Sequence, residues 1–156
     1  TLGPQLVVGN NSFVAKIFDP HYYDSIDKYD SYCRIDCVAD AGEEYTREAA
    51  AYMELSANSL CGKGVLQYYG SWTCDMPTET TSGLWMRPVL MVLMECVNGI
   101  YMTEIHPEKL SKKGRLSILY RALEANTEVQ KHGVNQRDFH LRNFMCEGKD
   151  KTRGYE

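Results

Sequence analysis

Residues 136–143 carry the chain's clearest chemical pattern. They read QRDFHLRN, so Asp138 is followed five positions later by Asn143. Phosphoryl transfer needs a carboxylate that orients or deprotonates the attacking hydroxyl, and an oxygen ligand for a magnesium ion on the phosphates. An aspartate and an asparagine at this spacing can supply both groups from one short loop. Asp138 is therefore a candidate base and Asn143 a candidate metal ligand, although two common polar residues at this spacing are by themselves a weak signal.

A second candidate residue is Lys16, which interrupts the apolar run from Phe13 to Phe18. The β-branched and aromatic residues of this run predict a strand. A lysine inside a buried strand is costly unless it meets an anion. The alternative is an edge strand whose lysine extends its ammonium group into water.

Glu48 is the candidate anion for Lys16. It lies three residues after Tyr45 and four before Tyr52, in a segment over 44–55 that is rich in helix-forming residues. This spacing places the glutamate on the apolar face of the predicted helix. We therefore expect an ion pair between Glu48 and Lys16. The alternative is a partly exposed glutamate bonded locally to Arg47 or Lys28.

Taken in chain order, these segments resemble protein kinases. The loop resembles the H-R-D-x-x-x-x-N pattern, and the run around Lys16 resembles the V-A-I-K strand. Residues 89–95, followed by 96–99, resemble the fifth strand and the hinge that grips adenine. The resemblance implies an α+β fold with a small lobe made of an antiparallel β-sheet and one regulatory helix, then a hinge and the beginning of a helical large lobe.

The resemblance also implies a domain division and a set of binding residues. The small lobe would cover 1–96, with an acidic insertion at 19–44, and the hinge and start of the large lobe would cover 97–156. ATP and Mg²⁺ would be the cofactors. The ATP-binding residues that it implies are Lys16, Glu48, Val14, Met94 as the gatekeeper, and the backbone of Glu95 and Val97. Lys16 and Asp138 would be catalytic, and Asn143 would bind the metal.

The predicted catalytic loop departs from the family pattern at several positions. Gln136 stands where the family has histidine, and His140 where serine/threonine kinases usually carry a lysine. Arg142 is similar to an arginine of many tyrosine kinases and of divergent fungal kinase-like proteins, and could supply positive charge to the γ-phosphate. The chain is identified as a divergent, fungal-type kinase-like transferase. Two alternatives stay open: a pseudokinase that binds without turnover, and a small-molecule phosphotransferase of the aminoglycoside or choline type.

The resemblance further implies segments on both sides of this chain. The family's glycine-rich loop would precede Thr1, and its D-F-G aspartate would follow Glu156. We therefore expect an incomplete fragment that is inactive by itself.

Composition bounds the partners and the compartment. The net charge is −4, from 17 basic and 21 acidic residues, which argues against a nucleic-acid surface. The longest apolar stretch, Val89 to Met94, is too short to span a membrane. The six cysteines form no C-x-x-C pair, which favours reduced thiols. We expect a soluble cytoplasmic or nuclear protein whose partners are ATP and a hydroxyl-bearing substrate, most simply a protein.

The remaining elements are predicted in outline. A hairpin is expected from Gln5–Val8 and Phe13–Phe18, a strand over 65–72, and a long hairpin loop over 75–83. Residues 19–44 carry eight acids and predict an irregular solvated insertion, for which a regulatory or partner-binding role is the alternative. A helical stripe is expected to lie in the core; its residues are Leu116, Leu119, Tyr120 and Leu123.

Overall fold

A computed structural model of the chain describes residues 5–8, 11–27, 30, 32–136 and 138–147. It is a mixed α+β structure with an antiparallel sheet and two α-helices. The chain divides into a first unit, Thr1–Met53 with Gln67–Cys96, and a second unit, Glu54–Leu66 with Val97–Glu156. The strands of the first unit are β1 (Gln5–Val8), β2 (Asn11–Phe18), β3 (Tyr68–Thr80) and β4 (Gly83–Glu95), arranged in the order β1-β2-β4-β3.

The sheet buries its centre where β2 pairs with β4. The register runs from Phe13 opposite Glu95 to Phe18 opposite Leu90. Because side chains alternate along a strand, even-numbered residues of β2 share one face. On that face Phe18 is almost completely buried, together with Val92 of β4. The predicted hairpin of β1 and β2 is confirmed, whereas its turn at 9–10 lies outside the described residues.

The β3–β4 hairpin is longer than the sequence predicted. The strand expected over 65–72 runs instead over Tyr68–Thr80, and the long loop expected over 75–83 is wrong. A two-residue turn at 81–82 joins β3 directly to β4. The polar residues that suggested a loop fit an exposed ribbon, since both of its faces meet water. Pro77 is tolerated there because β3 is an edge strand.

Helix α1 (Cys37–Ala57) covers the Lys16 face of the sheet. It starts earlier than the predicted 44–55, so the irregular segment ends at Asp36 and not at residue 44. The Asp36 carboxylate accepts hydrogen bonds from the backbone N–H groups of residues 38 and 39, at 3.0 and 3.1 Å, and thereby caps the helix. Tyr45 packs edge-on against Phe18, and Tyr52 stacks on Tyr68 with ring centroids 5.4 Å apart.

Helix α2 (Lys112–Lys131) belongs to the second unit and buries the opposite side from the one predicted. Its buried residues are Ala122 and Val129. The stripe expected in the core is 47–67 % exposed; it comprises Leu116, Leu119, Tyr120 and Leu123. That prediction was wrong because α2 has apolar residues on two sides, and spacing alone does not decide which side is covered. Gly133, with φ +77°, ends the helix as predicted.

Two short strands complete the second unit. β5 (Gly99–Tyr101) pairs antiparallel with β6 (Met145–Glu147), with Ile100 opposite Cys146. Across the described ranges, neither long helix combines the length and apolar character needed to cross a bilayer.

Gly99→Ala should weaken the pairing of β5 with β6. A Cβ at this position would lie 2.6 Å from the backbone oxygen of Cys146, a distance that forces the backbone to move. We expect faster amide hydrogen exchange at both strands. Gly42→Ala is the matched control, because position 42 is helical and open, and should be neutral or stabilising by about 1 kcal/mol. Unchanged exchange in the Gly99 variant would contradict the close approach.

Candidate functional site

The predicted ion pair between Lys16 and Glu48 is present in the first unit. The ammonium of Lys16, on β2, donates a hydrogen bond to Oε2 of Glu48, on α1. The side chains are 43 % and 25 % exposed, so water reaches the lysine more readily than the glutamate. A cation that is held in place and still accessible can bind a second anion, which a fully buried pair could not do.

Lys16 is surrounded by apolar side chains of β2 and β4 and by one aromatic ring. Val14 lies two residues earlier on the same face of β2, opposite Met94 of β4, and both side chains are buried. The Lys16 ammonium also lies 5.1 Å from the centre of the Phe18 ring. The cation of Lys16 thus lies at the edge of an apolar layer that includes Val14 and Met94.

The end of β4 is fixed to the segment before β3. The backbone N–H of Glu95 donates to the carbonyl of Gln67 at 2.9 Å, and the Glu95 carboxylate accepts from the Gln67 N–H at 3.1 Å. The Glu95 side chain is therefore engaged in a structural contact. The predicted contact of the Glu95 backbone with adenine stays a prediction. Val97, the other predicted hinge residue, is half-buried and begins the main stretch of the second unit.

The predicted catalytic loop is a tight structure around Asp138 in the second unit. The side-chain amide of Asn143 donates to the Asp138 carbonyl at 2.7 Å, and the His140 N–H donates to the same carbonyl at 3.0 Å. Residues 141–143 form one turn of 3₁₀ helix, which His140 caps by accepting the Arg142 N–H at Nδ1. The loop thus brings Asp138 and Asn143 together. Arg137 lies outside the described residues.

Arg142 is bound to the carboxylate of Asp138. Its Nη2 lies 2.5 Å from Oδ2, and both side chains are more than half exposed. The guanidinium beside Asp138 holds the pKa of that carboxyl below its usual range. Sequence reasoning had assigned the Arg142 charge to a γ-phosphate and did not foresee this contact. The spacing of four residues between an aspartate and an arginine was the signal that could have found it.

The fit of a magnesium ion can be judged from the donor atoms of this loop. Since the Asn143 amide nitrogen is committed to Asp138, the amide oxygen is the atom left to coordinate a metal. The described residues contain no cluster of three or more His, Cys, Asp or Glu side chains that could hold a metal. Mg²⁺ commonly binds one or two protein oxygens together with substrate phosphates. The loop suits that shared mode of binding.

Comparisons with known proteins do not assign a role to the residues described above, so their role is inferred from their chemistry. No protein-family model matches the chain, and no curated protein matches it significantly. Lys16, Glu48, Val14, Met94 and Glu95 lie in the first unit, and Val97, Asp138 and Asn143 in the second.

Proposed function

We propose that this chain belongs to an ATP-dependent phosphotransferase of the protein-kinase-like class, acting on a hydroxyl group. The observation that carries the proposal is the ion pair of Lys16 with Glu48. A lysine on a sheet strand, held by a glutamate from the helix that packs on the same face, is the arrangement that kinases use to position the α- and β-phosphates of ATP.

The fold of the first unit supports the proposal at a coarser level. It has an antiparallel sheet with one long helix on the Lys16 face, and the helix lies between β2 and β3 in the chain. A protein-kinase-like small lobe has the same parts in the same order. Val14 and Met94 are buried in this structure, so they would have to become accessible in order to contact adenine next to the lysine that would meet the phosphates.

Asp138 and Asn143 of the loop would have different roles in the reaction. Asp138 would accept a hydrogen bond from the substrate hydroxyl and direct its oxygen at the γ-phosphorus atom. Its lowered pKa makes the carboxylate a weaker base, so it is suited to orienting the hydroxyl more than to removing its proton. Asn143 would hold Mg²⁺, and that ion, when bound, neutralises charge on the phosphates.

A second candidate is a nucleotide-binding module without turnover. The observation that favours it is the bond between Arg142 and Asp138, which occupies one carboxylate oxygen of the predicted base. An arginine that stayed there in the presence of substrate would compete with the hydroxyl. The two candidates share the nucleotide site at Lys16 and differ only in the fate of Asp138.

The proposal is tested by titrating residues 1–156 with MgATP in a calorimeter. We expect weak binding that Lys16→Met lowers roughly ten- to hundredfold, the value of one charge-assisted hydrogen bond. Lys63→Met, at an exposed turn of the second unit, is the matched control and should leave the affinity unchanged. Equal affinities for the two variants, or no binding by the unmodified chain, would rule out a nucleotide site at Lys16.

A further inference from the structure

The irregular segment between β2 and α1 is attached to the first unit at both ends. We call residues 19–36 the strap; Lys28, Tyr29 and Ser31 within it lie outside the described residues. At its start, Asp19 is buried and makes two hydrogen bonds of 2.5 Å with the guanidinium of Arg87 on β4. At its end, Asp36 caps α1. The two ends of the strap are therefore fixed, one to the sheet and the other to the helix.

Described residues on the two sides of the middle of the strap are hydrogen-bonded to each other. The backbone N–H of Asp27 donates to the carbonyl of Cys33 at 3.1 Å, and that of Ile35 donates to Ser25 at 3.0 Å. These bonds flank an antiparallel bridge between Ile26 and Arg34. Residues 25–27 thus lie beside residues 33–35, so a contact made by a side chain near one of these stretches constrains the other as well.

A side chain in the strap contacts α1 directly. The Tyr23 hydroxyl donates a hydrogen bond of 2.8 Å to Oε2 of Glu44. Tyr23 is half-buried, whereas Tyr22 and Tyr32 are almost completely exposed, at 88 % and 96 %. The thiol of Cys37, the first residue of α1, lies 3.6 Å from the Tyr23 carbonyl oxygen. Burial, reinforced by the neighbouring Glu44, raises the pKa of Tyr23, so its hydroxyl keeps the proton it donates.

The hydrogen bond between Tyr23 and Glu44 is linked to the Lys16 site because Glu44 and Glu48 both belong to α1. Glu44 and Glu48 are four residues apart, hence on the same side of the helix one turn from each other. A bond that holds Glu44 against the strap therefore restrains the part of the helix backbone that carries Glu48. Asp40 and Glu48 both act on the Tyr23 hydroxyl electrostatically. A negative charge on that hydroxyl would therefore be repelled by three carboxylates.

We propose that the strap holds α1 where Glu48 meets Lys16, and that the hydrogen bond between Tyr23 and Glu44 is the latch that releases it. A single hydrogen bond at the surface is weak enough to open and close in the native state. Loss of the hydroxyl would loosen the latch, and a charged group on it would open the latch further. The regulatory importance of the latch rests on the proposed role of Lys16, whereas its existence can be tested without any enzymatic activity.

The test compares Tyr23→Phe with Tyr32→Phe, which makes the same chemical change at an exposed position of the same segment. The first measurement is the labelling rate of the Cys37 thiol by a maleimide, resolved by mass spectrometry, with the exposed Cys33 as internal reference. We expect Tyr23→Phe to raise the Cys37 rate roughly two- to tenfold, the equilibrium effect of one net hydrogen bond. Tyr23→Glu should raise it further, and Tyr32→Glu should not.

The second measurement is the zero-length carbodiimide crosslink between Lys16 and Glu48, which forms only when amine and carboxylate touch. Its initial rate should fall in Tyr23→Phe and fall further in Tyr23→Glu. Equal Cys37 labelling in the Tyr23→Phe and Tyr32→Phe proteins would overturn the latch. Faster labelling with an unchanged crosslink would overturn the coupling to Lys16, and would leave the proposed nucleotide site untouched.

A third variant guards against general damage. Loss of hydrogen-exchange protection throughout β4 in Tyr23→Phe would mean that the variant is generally destabilised. In that case Glu44→Ala tests the hydrogen bond instead. It removes the acceptor at an exposed helical position, where alanine is favoured. Its matched control is Glu43→Ala, the exposed neighbour. The latch predicts faster Cys37 labelling for the Glu44 variant alone, and equal rates for both glutamate variants would overturn it.

Discussion

Arg87→Met should markedly lower the free energy of unfolding of the first unit, because it leaves the Asp19 carboxylate without the cation that it binds. Arg87 donates to both oxygens of Asp19, whose side chain is only 5 % exposed, and to the Thr78 hydroxyl at 2.7 Å. Methionine fills much of the arginine's volume but leaves a buried carboxylate without a cation. The measurement is urea unfolding followed by hydrogen exchange at β3 and β4.

The effect of Arg87→Met should depend on pH. The hydrogen bonds from Arg87 hold the pKa of Asp19 below its usual range. A carboxyl with a lowered folded-state pKa stabilises the protein above its unfolded-state pKa, near 3.9, and this stabilisation is lost as the pH falls through the folded-state pKa. In the variant, the buried carboxyl is destabilising when charged. The difference between the two proteins should therefore shrink below about pH 4.

Two controls separate the ion pair from simple loss of packing. Asp24→Ala removes an exposed acid of the same segment and should change stability by no more than about 0.5 kcal/mol. Asp19→Leu combined with Arg87→Met removes both charges and should recover part of the lost stability. A double variant that is as unstable as Arg87→Met at every pH would mean that the charge of Asp19 is not the cause.

If the proposed function is right, Asp138→Ala should reduce phosphoryl transfer about 10²–10⁴-fold, the usual contribution of a carboxylate that orients or deprotonates a hydroxyl. Nucleotide affinity should be almost unchanged, because the proposed role of Asp138 is to act on the substrate hydroxyl and not on the nucleotide. The measurement is kcat at saturating MgATP, with the nucleotide affinity determined separately.

Arg142→Ala is the informative companion of Asp138→Ala. If the arginine only holds the carboxylate in place, its loss should lower kcat, and Arg142→Lys should restore part of the activity. If the arginine blocks the carboxylate, its loss should raise kcat. A protein that binds ATP and is indifferent to Asp138→Ala with every acceptor tested would favour the binding module without turnover.

The parts of the structure that follow from local pattern were predictable from the sequence. The hairpin of β1 and β2 and the core of α1 depend on residue spacings that a single segment contains. The ion pair of Lys16 and Glu48 was predictable because each is a single charge on an apolar face. Such a charge is costly to bury unless an opposite charge lies beside it. The Asp36 cap was visible in the sequence and would have placed the start of α1 correctly.

The features that were missed depend on which surfaces are covered. The stripe of α2 satisfies the spacing of a core helix, yet it is the opposite side that is buried, since burial depends on neighbours that spacing does not reveal. The ion pair joins Asp19 to Arg87, which are 68 positions apart in the chain. The sequence around either residue does not indicate which distant residue is its partner. The polar stretch after residue 75 forms a strand. Both faces of this part of the β3–β4 hairpin are exposed to water, so its strands do not need the alternation of apolar and polar residues that marks a half-buried strand.

The β3–β4 hairpin has a practical consequence for optical work on this protein. Its two tryptophans, Trp72 and Trp85, lie on this one hairpin, and both side chains are exposed. Their emission should already resemble that of indole in water in the native state, with little shift when the core melts. Quenchers such as iodide should reach both rings. Intrinsic fluorescence will therefore report events on one ribbon of the first unit, and tyrosine absorbance or circular dichroism is needed to follow α2.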